Sequence, residues 1–81
     1  MTKETIIKFI SSKIISKIDI KADHISAEEN LKSIGISSLD AVMISGEIED
    51  EFEIEVDPIL LFESETLSEV ADKLMILKKS V

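Results

Sequence analysis

The sequence predicts an all-α fold: a small four-helix bundle with three longer helices, one short third helix and a long first loop. Apolar residues recur at intervals of three and four residues in three separate segments, which is typical of helices with one buried face. Residues 51–56 alternate strictly, but no second alternating segment exists to pair with them, so a sheet is not expected. With 81 residues, 44% of them apolar and 4% aromatic, we expect a single domain, residues 1–81, with an aliphatic core.

The first helix is predicted over residues 3–18. Ile6, Ile10 and Ile14 recur every fourth residue, which places them on one helical face. Thr2 precedes them and suits an N-cap, because a threonine hydroxyl can accept a hydrogen bond from an N–H group of the first turn. This segment is predicted to contribute one wall of the core.

Residues 19–36 lack a regular pattern and are expected to form the long first loop. Ser26 and Glu29 have the spacing of a capping box, which could begin one helical turn. A loop of this length is uncommon in a compact domain unless side chains anchor it. The expected anchors are Ile25, Leu31 and Ile34.

The second long helix is predicted to begin at Ser38 and to end near Phe52 or Glu53. Ser37 is a good N-cap, and Asp40 follows it at the spacing of a capping box. At about 100° per residue the helix has two faces. The expected core face comprises Ala41, Ile44, Ile48 and Phe52. The opposite face comprises Leu39, Met43, Glu47 and Asp50.

A short helix and a final long helix complete the predicted bundle. Ile54 is expected to turn inward on an extended segment, after which Pro58 suits the first position of the short helix. The side chain that enters the core from this helix is expected to be Leu60, Leu61 or Phe62. Thr66 and Glu69 form a capping box for the last helix. Its predicted apolar face comprises Leu67, Val70, Ala71, Leu74 and Leu77.

Negative charge is concentrated in one segment of the chain. The formal net charge is −8, and residues 40–57 contain eight acidic residues and no basic residue. The chain has no arginine, so nucleic acid and anionic membranes are disfavoured as partners, because phosphate binding relies on Lys and Arg. No apolar run is long enough to span a bilayer, and the N-terminus lacks the cleavage site of a signal peptide. We therefore expect a cytoplasmic monomer that binds a basic protein surface.

Ordinary catalysis is not indicated. The chain has no cysteine, and His24 is its only imidazole; we interpret His24 as an ordinary loop residue. A small serine hydrolase with His24 as the base is an alternative, because a nucleophilic serine needs a positioned base. The acidic residues follow no calcium-loop pattern. We therefore expect neither a catalytic residue nor a metal site.

The sequence GISSLD at residues 35–40 opens the acidic helix after the long loop. It resembles the Gly-x-Asp-Ser-Leu motif of the acyl carrier protein family. Downstream, GEIEDEFEIEVDP and PILLFESETLSEVADKL are similar to later helices of that family, so the resemblance covers nearly the whole chain. The last segment is more similar to carriers of polyketide and nonribosomal peptide assembly than to those of bulk fatty acid synthesis. The resemblance implies an acyl-carrier-like bundle that is not itself an enzyme.

The resemblance implies that Ser38 is the attachment point of 4′-phosphopantetheine, transferred from coenzyme A by a separate phosphopantetheinyl transferase that uses a divalent metal. Acyl or polyketide intermediates would be tethered as thioesters on this arm. They would be presented to ketosynthase, acyltransferase or ligase-type enzymes with basic docking patches. The position suits a phosphodiester, because a helix N-terminus has unpaired N–H groups and a positive dipole end.

Partner recognition is expected on the face of the acidic helix that is opposite the core. The residues assigned to it are Leu39, Asp40, Met43, Glu47 and Asp50, flanked by Ala41 and Gly46. Members of the family often have an acid at the position of Met43, and this departure suggests partners unlike those of fatty acid synthase. The alternative function is a non-covalent acidic helical module that binds a basic protein.

Ser37 is a second departure, because the family usually has Asp at this position. The two side chains are nearly equal as N-caps, but the negative charge is lost. If transferases recognise that charge, a dedicated transferase is implied.

Overall fold

The computed structural model describes residues 2–18 and 25–80, and these ranges contain five helices. The described residues contain no strand, and two of them form an isolated β-bridge, Asn30 with Thr66. The all-α prediction is therefore confirmed. Helix α1 packs against α5 and α3, and α4 packs against α3. The helices are α1 (Lys3–Lys17), α2 (Leu31–Ile34), α3 (Ser38–Phe52), α4 (Ile59–Glu63) and α5 (Leu67–Ser80).

The core is aliphatic and lies between α1, α3 and α5. Every residue predicted for the core faces of α1 and α3 is buried. The residues predicted for the apolar face of α5 are also buried, except Leu77, which is half-buried. Phe9 packs edge-on against Phe52, with 5.3 Å between the ring centroids. The buried helical residues are Ile6, Ile10, Ile14, Ala41, Ile44, Ile48, Phe52, Leu67, Val70, Ala71 and Leu74.

Helix α1 has the predicted N-cap. The Thr5 N–H donates to the Thr2 Oγ1 at 3.2 Å. The helix ends at Lys17, one residue earlier than predicted, because Ile18 has an extended backbone and forms the C-cap.

The first loop contains a helical turn that was predicted at the wrong place. The turn is α2, and its N-cap is Asn30, whose Oδ1 accepts a hydrogen bond from the Lys32 N–H at 2.9 Å. Ser26 does not begin a helix. Its hydroxyl accepts a hydrogen bond from the Glu28 N–H at 3.3 Å, and the chain forms only a turn there.

The loop is anchored by the residues predicted to anchor it. Ile25 and Leu31 are buried, and Ile34 is half-buried against the core. The Ile25 N–H donates to the buried Ser11 Oγ at 2.7 Å, and the Leu31 N–H donates to the carbonyl oxygen of Glu65 at 2.8 Å. The described part of the loop is thus held to α1 and to the residues before α5.

The segment after α3 is extended but does not belong to a sheet. Ile54 and Val56 are each 6% exposed, and the acidic residues between and beside them are exposed. The Val56 N–H donates to the Glu49 Oε2 at 2.9 Å, so this backbone donor is satisfied without a neighbouring strand. The alternating sequence therefore reflects alternating burial along a single extended segment.

Glu53 ends α3 in the left-handed region, with a φ of 56°. A side chain with a Cβ costs about 1–2 kcal/mol there, whereas glycine adopts this region freely but loses more chain entropy on folding. We expect Glu53→Gly to raise the free energy of unfolding by about 0.5–1 kcal/mol, measured by urea denaturation. Glu51→Gly, in the last turn of the same helix, is the control and should lower it by about 1 kcal/mol. An equal loss for both variants would contradict this account.

Helix α4 begins at Ile59, one residue later than predicted, and Pro58 is its N-cap rather than its first residue. Of the three side chains considered for the core, Leu61 is buried, Leu60 is half-buried and Phe62 is 45% exposed. Leu61 is therefore the residue that α4 contributes to the core.

Helix α5 begins with part of the predicted capping box. The Glu69 N–H donates to the Thr66 Oγ1 at 3.2 Å, as expected, but the Glu69 carboxylate accepts the N–H of Glu65 instead of that of Thr66. Near the other end of α5, the Lys78 Nζ donates to the carbonyl oxygen of Phe52 at 2.8 Å. This hydrogen bond ties the end of α5 to the end of α3.

Candidate functional site

The N-terminus of α3 lies directly after a tight turn. Gly35 ends α2 in the left-handed region, with a φ of 83°, a conformation that glycine adopts without a Cβ penalty. Ile36 packs partly against the core, and the chain then becomes extended at Ser37 before entering α3. The turn places the first residues of α3 at the surface.

Ser37 is the N-cap of α3, and its polar groups are engaged in a capping box. The Ser37 Oγ accepts a hydrogen bond from the Asp40 N–H at 3.1 Å, and the Asp40 Oδ2 accepts one from the Ser37 N–H at 3.4 Å. The carboxylate therefore supplies a negative charge in the first turn of α3, where the helix dipole favours it.

Ser38 is the first helical residue of α3 and is exposed. The Asp40 N–H is taken by the Ser37 hydroxyl, and the Ala41 N–H bonds to the Ser37 carbonyl oxygen at 3.0 Å. The N–H groups of Ser38 and Leu39 have no preceding helical turn to bond to. An anionic group attached to the Ser38 Oγ would lie beside these donors and the positive end of the dipole. The residues present thus fit a phosphodiester.

An apolar surface lies beside Ser38 on α3. Leu39 is 68% exposed, Val42 52% and Met43 47%. Leu39 and Met43 were predicted on this side of the helix, and Val42 was not. On a helical wheel Val42 lies about 60° from Leu39, an angle that could have included it. We call these three residues the apolar patch.

Two acidic residues predicted for the same face differ in their exposure to solvent. Asp50 is exposed near the other end of α3. Glu47 is half-buried: its Oε1 accepts a hydrogen bond from the Lys17 Nζ at 2.9 Å, and its Oε2 is buried without a hydrogen-bond partner among the described residues. Glu47 is only partly accessible on this face, because the last turn of α1 places Lys17 against it.

The two residues predicted to flank this face are not at its exposed surface. Ala41 is fully buried, and Gly46 is half-buried. The burial of Ala41 confirms its assignment to the core face of α3.

A small cavity lies next to the N-terminus of α3. It is lined by Ile36, Ala41, Leu61 and Phe62, with residues of α2, and has a volume of about 80 Å³. Pockets for small organic ligands usually measure about 300–1,000 Å³. The cavity is therefore too small to enclose a ligand of that size.

No catalytic arrangement is seen around Ser38 in the described residues. His24, the base considered for a serine hydrolase, lies outside them. Within residues 2–18 and 25–80, no group of three or more His, Cys, Asp or Glu side chains could hold a metal ion. None of the helices in this part of the chain combines the length and the apolarity needed to cross a membrane.

Comparison with known proteins gives one family match. A family model described as "Phosphopantetheine attachment site" matches residues 8–74, a range that includes α2, α3, α4 and most of α1 and α5. No curated protein matches the chain. The matched range contains the capping box and the exposed serine that follows it.

Proposed function

Because the chain belongs to the family of phosphopantetheine attachment sites, whose domain is the site of covalent 4′-phosphopantetheine attachment, we propose that Ser38 is the modified residue. The observation that carries the proposal is the position of Ser38, exposed in the first turn of α3 beside two backbone N–H groups without helical partners. Ser37 is less suitable, because its hydroxyl is engaged as the N-cap. The bound group supplies a thiol that holds acyl cargo as a thioester.

The residues of this chain act by tethering and presenting the cargo. The Ser38 hydroxyl oxygen would bond to the phosphorus of the phosphopantetheine unit of coenzyme A. The pyrophosphate bond would break, adenosine 3′,5′-bisphosphate would leave, and the hydroxyl proton would pass to the base of the transferase. The helix N-terminus would stabilise the resulting phosphodiester. The base and the divalent metal come from a separate phosphopantetheinyl transferase. We therefore propose a carrier that is not an enzyme, and neither the family match nor the site geometry supports the serine hydrolase or the non-covalent interaction module.

We propose that partner enzymes dock on the face of α3 next to Ser38. The apolar patch would supply contacts in the docked state, and acidic residues such as Asp50 would steer the protein toward basic docking surfaces. The partners would be the transferase and ketosynthase, acyltransferase or ligase-type enzymes. We assign the partly exposed Asp40 and Glu47 to the same docking face, although the charge of Glu47 is partly neutralised by its ion pair with Lys17.

We propose that the cargo is an acyl or polyketide intermediate of a polyketide or nonribosomal peptide type of pathway. We also propose that the carrier is a cytoplasmic monomer. The resemblance of the last segment to carriers of polyketide and nonribosomal peptide assembly supports this choice of pathway. The presence of Met43 at a position where members of the family often have an acid also supports it. The small volume of the cavity beside α3 favours cargo that is exposed on the arm over cargo that is enclosed in the protein.

Ser37→Asp should speed modification by a promiscuous transferase about two- to fivefold, the factor expected of one exposed charge interaction. Aspartate keeps the N-cap and restores the negative charge that the family usually has at this position. The measurement is the initial rate of adduct formation by intact mass spectrometry. Ser37→Asn is the control, because it caps the helix without a charge and should leave the rate unchanged. Equal rates for the two variants would show that the charge is not recognised.

The proposed function is tested by incubating the protein with coenzyme A, magnesium and a promiscuous phosphopantetheinyl transferase. We expect the intact mass to increase by one phosphopantetheine group. If no increase occurs with several different transferases, the carrier function is rejected.

A further inference from the structure

An open groove with apolar and charged walls lies at the end of α3 that is remote from Ser38. It is formed by the end of α3, the extended segment after it, α4 and α5, and has a volume of about 910 Å³. Ile59 and Leu60 of α4 line this groove, whereas Leu61 and Phe62 line the small cavity at the N-terminus of α3. The groove and the small cavity therefore lie on different sides of α4. We call the larger feature the α4–α5 groove.

The α4–α5 groove presents aliphatic side chains to solvent. Ile59 is 54% exposed and Ile76 is 65% exposed. Leu60 and Leu77 are half-buried, and Val56 is buried. These side chains give the groove an apolar surface against which another molecule could pack.

The rim of the groove is acidic. Its lining includes four carboxylates and one ammonium group, a formal charge of −3. The ammonium belongs to Lys73, whose Nζ donates to the Ser64 Oγ at 3.1 Å. Glu55 and Glu63 are exposed, and the other two carboxylates, Glu49 and Asp57, each accept a backbone N–H. A ligand for this groove must therefore combine apolar groups with positive charge.

The wall of the groove that α3 contributes lies well away from Ser38. Glu49, which lines the groove, is eleven residues after Ser38 on the same helix, a separation of about 16 Å along the helix axis. An occupant of the groove would leave the first turn of α3 accessible to an enzyme.

We propose that the α4–α5 groove docks a basic amphipathic helix of a partner protein. Its apolar face would pack between Ile59 and Ile76, and its Lys or Arg side chains would meet Glu55 and Glu63, the helix-in-groove mode of peptide recognition. A second copy of this chain is a poorer occupant, because each copy carries a formal charge of −8. This inference goes beyond the proposed function, since a partner held here would keep the carrier in place while Ser38 remains open to other enzymes.

The test uses a synthetic peptide of about fourteen residues, which spans roughly 21 Å as a helix. Leucines at helical spacing form one face, and lysines fill the remaining positions. Amide chemical shifts of the isotopically labelled, unmodified protein are expected to change most at Val56, Ile59 and Ile76. The affinity should fall as salt is added. A control peptide with glutamates in place of the lysines should not bind.

Two variants, each with a matched control, test whether the groove residues contact the peptide. The double variant Ile59→Gln with Ile76→Gln should weaken peptide binding about tenfold or more, whereas Phe62→Gln, on the other side of α4, should not. Glu63→Lys should also weaken binding, and Glu51→Lys, outside the groove, should do so less. Circular dichroism verifies that each variant is folded, which is expected because all these side chains are exposed.

Three results of the peptide experiments would overturn the inference: shift changes centred on residues 38–43, equal affinity for the lysine and glutamate peptides, or unchanged affinity in the double variant. Shift changes at the groove that depend on protein concentration alone would identify a second copy as the occupant and reject a basic partner. Since the titration uses unmodified protein, failure here rejects the groove assignment alone. Failure of the mass increase with transferases rejects the carrier function alone.

Discussion

Ser38→Ala is expected to abolish modification by phosphopantetheinyl transferases completely. The variant removes the only oxygen to which the group is proposed to be attached, and alanine at an exposed first helical position leaves the fold intact. The measurement is intact mass after incubation with coenzyme A, magnesium and the transferase, compared with wild-type protein treated in parallel.

Ser37→Ala is the matched control for this experiment. It removes the neighbouring hydroxyl and the hydrogen bond to the Asp40 N–H, which should lower the free energy of unfolding by about 1 kcal/mol. The protein should still accept one phosphopantetheine group. A mass increase in Ser38→Ala, or its loss in a folded Ser37→Ala variant, would contradict the assignment of Ser38.

Ile44→Ala is expected to have the largest effect on stability among the changes considered. Ile44 is completely buried in the core face of α3, and replacing a buried isoleucine by alanine costs about 2–5 kcal/mol through lost burial and the cavity that remains. Native proteins have a total free energy of unfolding of only about 5–15 kcal/mol, so the variant should unfold at a clearly lower urea concentration than the wild-type protein. Urea denaturation followed by circular dichroism measures the change.

Val42→Ala is the matched control on the same helix. Val42 is 52% exposed, and alanine has the higher helix propensity, so the free energy of unfolding should change by no more than about 0.5 kcal/mol. Similar losses for Ile44→Ala and Val42→Ala would show that α3 is not packed as described.

The long helices could be predicted because the periodicity of their apolar residues indicates which face is buried. Helix α2 could not be placed in this way. It has four residues, of which only Leu31 is buried, and its position depends on the Asn30 cap and on the hydrogen bond between Leu31 and Glu65. That hydrogen bond joins residues far apart in the sequence, so it cannot be predicted from a local sequence pattern.

The site was predictable to the extent that it is local. The capping box of Ser37 and Asp40 and the exposed position of Ser38 follow from adjacent residues. The burial of Glu47 does not, because its partner Lys17 is thirty residues earlier in the chain and meets it only after α1 packs against α3. The α4–α5 groove was missed for the same reason, since its walls come from four separate segments.

The most direct test of the central claim is to locate the attached group in the modified protein. Cleavage after lysines leaves residues 33–73 as one intact peptide, because no lysine lies between Lys32 and Lys73. This peptide contains both Ser37 and Ser38, and its tandem mass fragments distinguish them. We expect N-terminal fragments that end at Ser37 to lack the phosphopantetheine mass and those that end at Ser38 to contain it. A group found on Ser37, or on any residue outside this peptide, would contradict the account.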